Sequence, residues 1–210
     1  MIKLYYFDFN FWRLDICRLS LSYGNIPYEY IKIPRKDWMT IKKKGKFPFG
    51  QLPVMKFKKK IYGQTSSIAR FCAIRASLYE KNPEKSLIID QVLDWANDIT
   101  YKIAPSIREK NKAKQLKLRK IFVRNDLDLW FGFLENLLKN SSNKQKFFTE
   151  KFSLADITAW RLIYWFCSGK LEGVDKNFIQ KFNFLNQYYH NISKIKKFNE
   201  LKEYKKIISS

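Results

Sequence analysis

Cysteine is scarce in this chain. Its three residues, Cys17, Cys72 and Cys167, are far apart in a sequence of 210 and form no CxxC pair. That spacing excludes a disulfide framework and a cysteine-rich zinc site, and it fits the reducing cytoplasm. Histidine occurs once, as His190 in "QYYHNI" with no nucleophile motif nearby, which excludes a histidine-based triad and leaves a structural role. No apolar run reaches the roughly 18 residues that a membrane-spanning helix needs. Internal repeats and low-complexity blocks are also missing. The first residues, "MIKLYYFDFNFW", lack a basic segment followed by a plain apolar block, so they predict a strand and not a secretion signal. Acidic residues are few: 19 Asp and Glu face 41 Lys and Arg, for a formal net charge of +22.

What is present is apolar and aromatic. A hydrophobic fraction of 46%, with 17% aromatic, is ample for packed cores. The lysines are scattered over "RKDWMTIKKKGK", "KFKKKIYG", "EKNKAKQLKLRK" and "SKIKKFNELKEYKK", and asparagine is plentiful. This pattern favours solvated lysine faces and a coding bias over one dedicated surface for nucleic acid or another acidic partner.

The chain changes character part-way along. Residues 1–77 alternate short apolar strands with helices. "IKLYYF", "IPYEYIKI", "LPVMKF" and "IYG" predict strands, and "RLDICRLSLSYG" a helix stopped by Gly24 as its C′ residue. "KDWMTIKK" predicts a helical or irregular turn, and "TSSIARFCAIRASL" a further helix. The order βαβαββα describes a small mixed sheet with helices on its faces. "LYEKNPEKS", residues 78–86, is polar and reads as a linker. From 87 to 210 apolar residues recur at spacings of three and four in five segments, which predicts an all-α bundle with "KNSSNKQK" as a loop inside it. Within that bundle, Ser153 and Asp156 open an apolar helix with the capping-box spacing. Phe152 and Ile157 are placed for the hydrophobic staple, so these residues serve folding and not catalysis.

Two short stretches carry the functional signal. "PFGQLPV" starts a strand at a proline, and "GQTSSIARF" begins an apolar helix with polar residues. Together with "KLYYFDFNFWRLDICR", "DWMTIK" and "FSLADITAW", taken in order, they resemble the cytosolic glutathione transferases, and the sigma-like group in particular. The resemblance covers nearly the whole chain. It implies a thioredoxin-like first domain followed by the helical domain, and a cis bond before Pro53. That bond would present the Leu52 backbone to the cysteinyl part of glutathione. Gln51, Gln64 and Thr65 would receive the γ-glutamyl end, using the free N–H groups of a helix start. Trp38 and Lys42, four apart, would hold the glycine carboxylate. Asp98, with Asp94 as the neighbouring alternative, would reach the γ-glutamyl amine of a second copy in a homodimer.

The chemistry implied is attack by the glutathione thiolate on an apolar electrophile, in a detoxification role. The hydroxyl that matches the family's catalytic one is Tyr6, the second tyrosine of "LYYF"; alternation sends Tyr5 and Tyr6 to opposite sheet faces, so only one can serve. Arg13 matches a cation close to the sulfur or the glycine end. Glutathione is then a co-substrate, with neither metal nor redox cofactor. Where the family commonly has a small, glycine-containing stretch, this chain has "DFNFWR", bulky and one residue longer. Phe9, Phe11 and Trp12 would therefore stand near the electrophile pocket, as its lining or as an obstruction. The rival readings are a non-catalytic transferase-like binding or assembly module, and a ligandin-like carrier of anionic hydrophobes.

Overall fold

The structure, a computed structural model, describes residues 1–141 and 146–209. Part of the expected loop "KNSSNKQK", residues 142–145, lies outside the described residues. Contacts divide the chain into two units: Met1–Glu80 together with Lys196–Ser210, and Lys81–Ile195.

The first unit is built on a four-stranded mixed sheet of order β2-β1-β3-β4, with β1 Ile2–Phe7, β2 Tyr28–Ile33, β3 Val54–Phe57 and β4 Lys60–Gly63. β1 pairs in parallel with β2 and antiparallel with β3, and β3 and β4 form a hairpin. Its helices are α1 Trp12–Tyr23, α2 Trp38–Lys43 and α3 Thr65–Arg75, with a 3-10 turn at Arg35–Asp37 leading into α2. Along β1 the residues Ile2, Leu4 and Tyr6 are buried and those between are half-buried, the period-two signature of a strand with one covered face. The predicted order of elements is the one observed.

Gly24 ends α1 for a reason different from the one expected. Its φ is −85°, so it is not the left-handed C′ residue; Asn25 takes that conformation, at φ 54°. What Gly24 provides is proximity. A Cβ there would lie 2.7 Å from the Cβ of Ala76, just past α3, a distance that side chains do not tolerate. The α1–α3 packing also brings together the thiols of Cys17 and Cys72, both free and both buried, and burial pushes the Cys17 thiol pKa up.

The second unit holds α4 Pro83–Arg108, α5 Lys112–Phe122, α6 Asp128–Lys139, α7 Leu154–Cys167 and α8 Asn183–Ser193. α4 packs on α5 and α7, around a core in which the Phe131 ring meets Trp95, Phe166 and Phe178 at 5.3, 5.4 and 4.7 Å. The capping box at the start of α7 is present. The Asp156 carboxylate accepts from the Ser153 N–H at 2.7 Å and hydroxyl at 2.9 Å, and also from the Phe148 N–H and the Tyr188 hydroxyl. Burial pushes this carboxyl up to about 6, against the pull of those four donors. His190 is exposed on α8, beside Tyr189.

Two expected boundaries differ in detail. The first turn of α4, capped by the Asn82 side chain, occupies the end of the segment expected as a linker. The last residues form α9 Lys196–Asn199 and α10 Lys202–Ile208, and these belong to the first unit, not to the helical one. α10 packs on α1, where Glu203 meets the buried Arg18. Among the described residues, no helix is long and apolar enough to cross a membrane.

Candidate active site

Strand register assembles the core of the site. Tyr5 pairs with Val54, so continuing that register by one residue sets Tyr6 against Pro53; Val54 in turn pairs with Gly63, which sets Pro53 beside Gln64. The end of β1, the start of β3 and the N-terminus of α3 therefore form one row across three adjacent strands. The Leu52–Pro53 bond is cis, as expected. The β1–β3 pairing covers Lys3–Tyr5 and Val54–Lys56, so Leu52 lies outside that ladder.

Gln64 occupies the N-cap position of α3 at φ 74° and ψ 124°, and its side chain makes no capping hydrogen bond. A non-glycine residue held there is strained, and the first N–H groups of the helix receive no oxygen from it. Thr65, expected with Gln64 at the helix start, is the first helical residue, and it is buried. Gln51 is exposed in extended backbone just before Leu52. The stem of Lys42 crosses this loop: a Cβ on Gly50 would meet the Lys42 Cε at 3.1 Å.

Tyr6 is 4% exposed. Burial pushes its hydroxyl pKa up, and the positive charges of Arg13 and Arg35 pull against that shift. The net direction keeps the phenol protonated, hence a donor, at neutral pH. Its ring meets Phe9 edge-on at 5.8 Å; Phe9 stacks on Phe7 at 5.9 Å, and Phe7 meets Trp38 at 5.7 Å. Trp38 continues through Phe47 at 6.4 Å to Tyr5. One aromatic sheet of contacts thus runs from the tyrosine to α2.

Trp12 corrects an expectation. It is fully buried, with the Arg13 guanidinium 4.7 Å from its ring centroid, so it belongs to the core and not to the wall of an open pocket. Its position explains this: as first residue of α1 it turns inward, whereas Phe9 is 38% exposed and Phe11 half-buried. Arg35 was missed by sequence reasoning. Its guanidinium lies over the rings of Phe9 and Phe7, at 4.9 and 5.9 Å. The signal was its place three residues before Trp38, one helical turn away. From Trp38 to Tyr79 the chain carries no Asp or Glu, while Lys42, Lys43, Lys44, Lys46, Lys56, Lys58, Lys59, Lys60, Arg70 and Arg75 all fall there. Asp98 lies in the second unit on an exposed stripe of α4 that also holds Leu87, Gln91, Asp94 and Tyr101. Among the described residues, no group of three or more His, Cys, Asp or Glu could hold a metal ion.

Comparison with known proteins meets this geometry at the family level. The family model for the glutathione S-transferase C-terminal domain matches residues 97–207, more than half of the chain. The chain belongs to the glutathione S-transferase family. A glutathione S-transferase of Anopheles gambiae is 34% identical over 102 residues, covering 49% of each chain. Glutathione S-transferase S1 of Drosophila melanogaster is 36% identical over 102 residues, 48% of this chain and 40% of the relative. The chain thus spans about half the length, or less, of these curated relatives. Among solved structures, the prostaglandin synthase D of Nilaparvata lugens superposes with a TM-score of 0.79 at 26% identity, covering 95% of both chains. A monomeric glutathione S-transferase of Necator americanus shares the fold, with a TM-score of 0.76 at 23% identity over 95% of this chain and 94% of its own. Within the family fold, Tyr6 is the last residue but one of the first strand and the cis-Pro53 junction opens the third.

Proposed function

We propose that this member of the family is a glutathione transferase that joins the glutathione thiolate to apolar electrophiles. The observation that carries the reading is the row formed by Tyr6, cis-Pro53 and Gln64. It offers a protonated hydroxyl, an unladdered peptide at Leu52 and an uncapped helix start within one strand row. In this reading the Leu52 backbone holds the cysteinyl part, as an added strand would. Gln51, Gln64 and Thr65 take the γ-glutamyl carboxylate, and Trp38 and Lys42 the glycine carboxylate.

The sulfur sets the energetic demand. A thiol of pKa near 8.5 is mostly protonated at neutral pH. Making thiolate dominant takes a downward shift of about two units, or about 3 kcal/mol. The Tyr6 hydroxyl donates to the sulfur, Arg13 supplies positive charge beside it, and Arg35 adds a second cation at longer range. Phe9 and Phe11 form the apolar wall for the electrophile. The sulfur–carbon bond forms as the thiolate attacks; the leaving group departs with its electron pair, or, for an enone, the carbanion takes a solvent proton.

The homodimer belongs to the same proposal. Asp98 would complete the glutathione site of a second copy, with Asp94 as the alternative. Complementary faces support it. The first unit presents Phe49, 70% exposed, beside Ile61 and Tyr62 in the acid-free basic segment. α4 presents Leu87 and Tyr101 around the two aspartates. A detoxification role in a reducing cytoplasm fits the apolar wall and the three free cysteines. The competing reading, a non-catalytic glutathione-binding module, is favoured by one feature: Phe9 packs directly against Tyr6.

Calorimetric titration with glutathione tests the proposal. One site per protomer, with micromolar-to-millimolar affinity, is expected. No heat, and no competition by an S-alkyl glutathione, would remove the enzyme reading. Binding without turnover of any electrophile would select the non-catalytic module.

A further inference from the structure

In the loop between β1 and α1, Asp8 is ion-paired to Lys32 at 2.6 Å. The Phe9 N–H donates to the Phe7 carbonyl at 2.9 Å, and the Phe11 carbonyl accepts from Leu14 and Asp15. Phe11 is the N-cap of α1 and makes no side-chain capping bond. Groups from outside the loop hold it further.

The fixing groups come from the far end of the chain. The Asn10 side-chain amide donates to the Lys206 carbonyl at 3.2 Å, and its oxygen accepts from Arg18 Nη1 at 3.1 Å. Arg18, 3% exposed, is ion-paired to Glu203 of α10 and to Asp15 at 3.4 Å. Its guanidinium lies 4.9 Å from the centroid of the Tyr30 ring, and the Tyr30 hydroxyl donates to the Phe7 carbonyl. The loop is thus gripped at both ends, at Phe7 through Tyr30 and at Asn10 through Arg18 and Lys206. Only one orientation of the Asn10 amide satisfies both of its partners.

We propose that α10 is a positioning element for the electrophile wall, with Asn10 and Glu203 as its positioning residues. Asn10 stands between Phe9 and Phe11, so the bonds that hold it set where those rings lie beside Tyr6. The clamp is polar, not a packed wall. A cavity of about 310 Å³, lined by Arg18, Tyr28, Tyr30, Glu203 and Lys206 among others, lies beneath it. The Tyr28 hydroxyl stands beside Arg18 and Glu203. Tyr204 and Ile207 bury the inner side of α10, so losing the Asn10 bonds releases the loop from α10 and not α10 from its unit. A single neutral hydrogen bond shifts a two-state population by about fivefold. Substitution of Asn10 therefore loosens that end of the loop, while Asp8 keeps its ion pair with Lys32 and Phe9 its contacts with Tyr6, Phe7 and Arg35.

The inference rests on the transferase reading, so its test carries one readout that does not. In the 210-residue chain, Asn10→Ala is compared with wild type, Asn10→Asp and Glu203→Gln. Asp retains the acceptor for Arg18, and Gln keeps the shape of Glu203 without its charge. Amide hydrogen exchange over residues 8–11 is expected to quicken about fivefold in Asn10→Ala and Glu203→Gln, and to return toward wild type in Asn10→Asp. With glutathione saturating, kcat/KM for a compact chlorodinitrobenzene should rise about fivefold in Asn10→Ala, as the freed rings open the wall. Turnover of an extended biaryl enone should not rise, and the calorimetric affinity for glutathione should stay within about twofold, because Leu52 and the start of α3 are untouched. Unchanged exchange in the loop overturns the clamp, whether or not the wild type binds glutathione. Faster exchange with an unchanged ratio between the two electrophiles overturns the positioning role, as does a glutathione affinity that moves in step with turnover. A wild type that binds no glutathione instead removes the transferase reading, and the exchange data still decide the clamp.

Discussion

Replacing Tyr6 by Phe removes one oxygen from a nearly buried ring and leaves the aromatic contacts in place, so it isolates the hydroxyl. A hydrogen bond to a charged group is worth about 1.5–3 kcal/mol, which corresponds to about 1–2 units of the bound thiol's pKa. Suppose the intact site brings that thiol from about 8.5 to about 6.5; at pH 7 about three quarters is then thiolate. Losing about 1.5 units leaves about one tenth. Turnover at pH 7 should fall by at most that ratio, since a less stabilised thiolate is a better nucleophile. The sign over pH follows: the fold deficit is largest below both pKa values, narrows between them and closes above both, where each enzyme carries full thiolate. Glutathione affinity, held by Leu52, Gln64 and Trp38, should barely change. The assay is ultraviolet titration of the thiolate in the binary complex, alongside kcat/KM from pH 5.5 to 9. An unaltered profile would transfer the role to Arg13 or Tyr5. A deficit that stays constant to pH 9 would show that the hydroxyl does not act through ionisation.

Four further outcomes are expected. Asp98→Ala should weaken glutathione binding without unfolding the chain, and so should dilution of wild type to monomer; affinity independent of both, measured by calorimetry and sedimentation, rules out a shared site. Gln64→Gly relieves a non-glycine residue at φ 74°, so thermal unfolding should show a gain of about 1 kcal/mol while glutathione affinity drops; a loss of stability would refute the strain argument. The Asp156 carboxyl, raised to about 6 in the fold and near 3.9 when unfolded, binds its proton more tightly in the native state. Its contribution is therefore present below pH 4 and lost as pH rises through 6, by about 3 kcal/mol, and urea midpoints of wild type and Asp156→Asn should differ in slope over that window. Opening the electrophile wall should use Phe11 alone: Trp12→Ala empties the core at a cost of about 3–5 kcal/mol, whereas Trp12→Phe should be mild because its buried indole N–H has no acceptor.

Much of this was legible in the sequence because the relevant signals are local. Strand alternation in "IKLYYF" separated Tyr6 from Tyr5, the capping box announced α7, and the resemblance carried by "PFGQLPV" implied the cis junction. What escaped depends on contacts between distant residues. Gly24 is needed for the approach of Ala76, which no helix-stop rule encodes. Trp12 looked like a loop aromatic, but it begins α1 and turns inward. The partners of Asn10 lie 8 and 196 positions away, and Glu203 sits in a lysine-rich tail whose periodicity says only that it is helical. That tail packs with the sheet unit because a buried arginine there needs a carboxylate. Asp98 was named through resemblance alone, and its stripe on α4 is exposed.

The segment from Trp38 to Tyr79 carries formal charge of one sign: no Asp or Glu falls in it, and the sole histidine lies elsewhere in the chain, at His190. The residue types that titrate between mildly acidic and neutral pH are therefore absent from it. Any acid limb in the capture of an anionic tripeptide has to come from the tripeptide's own carboxyls or from a residue such as Asp98 on another surface. Ionic strength is the variable this segment responds to, because at about 0.15 M salt its field fades within about 8 Å. The cell can tune that attraction through its ions, but hardly through its protons.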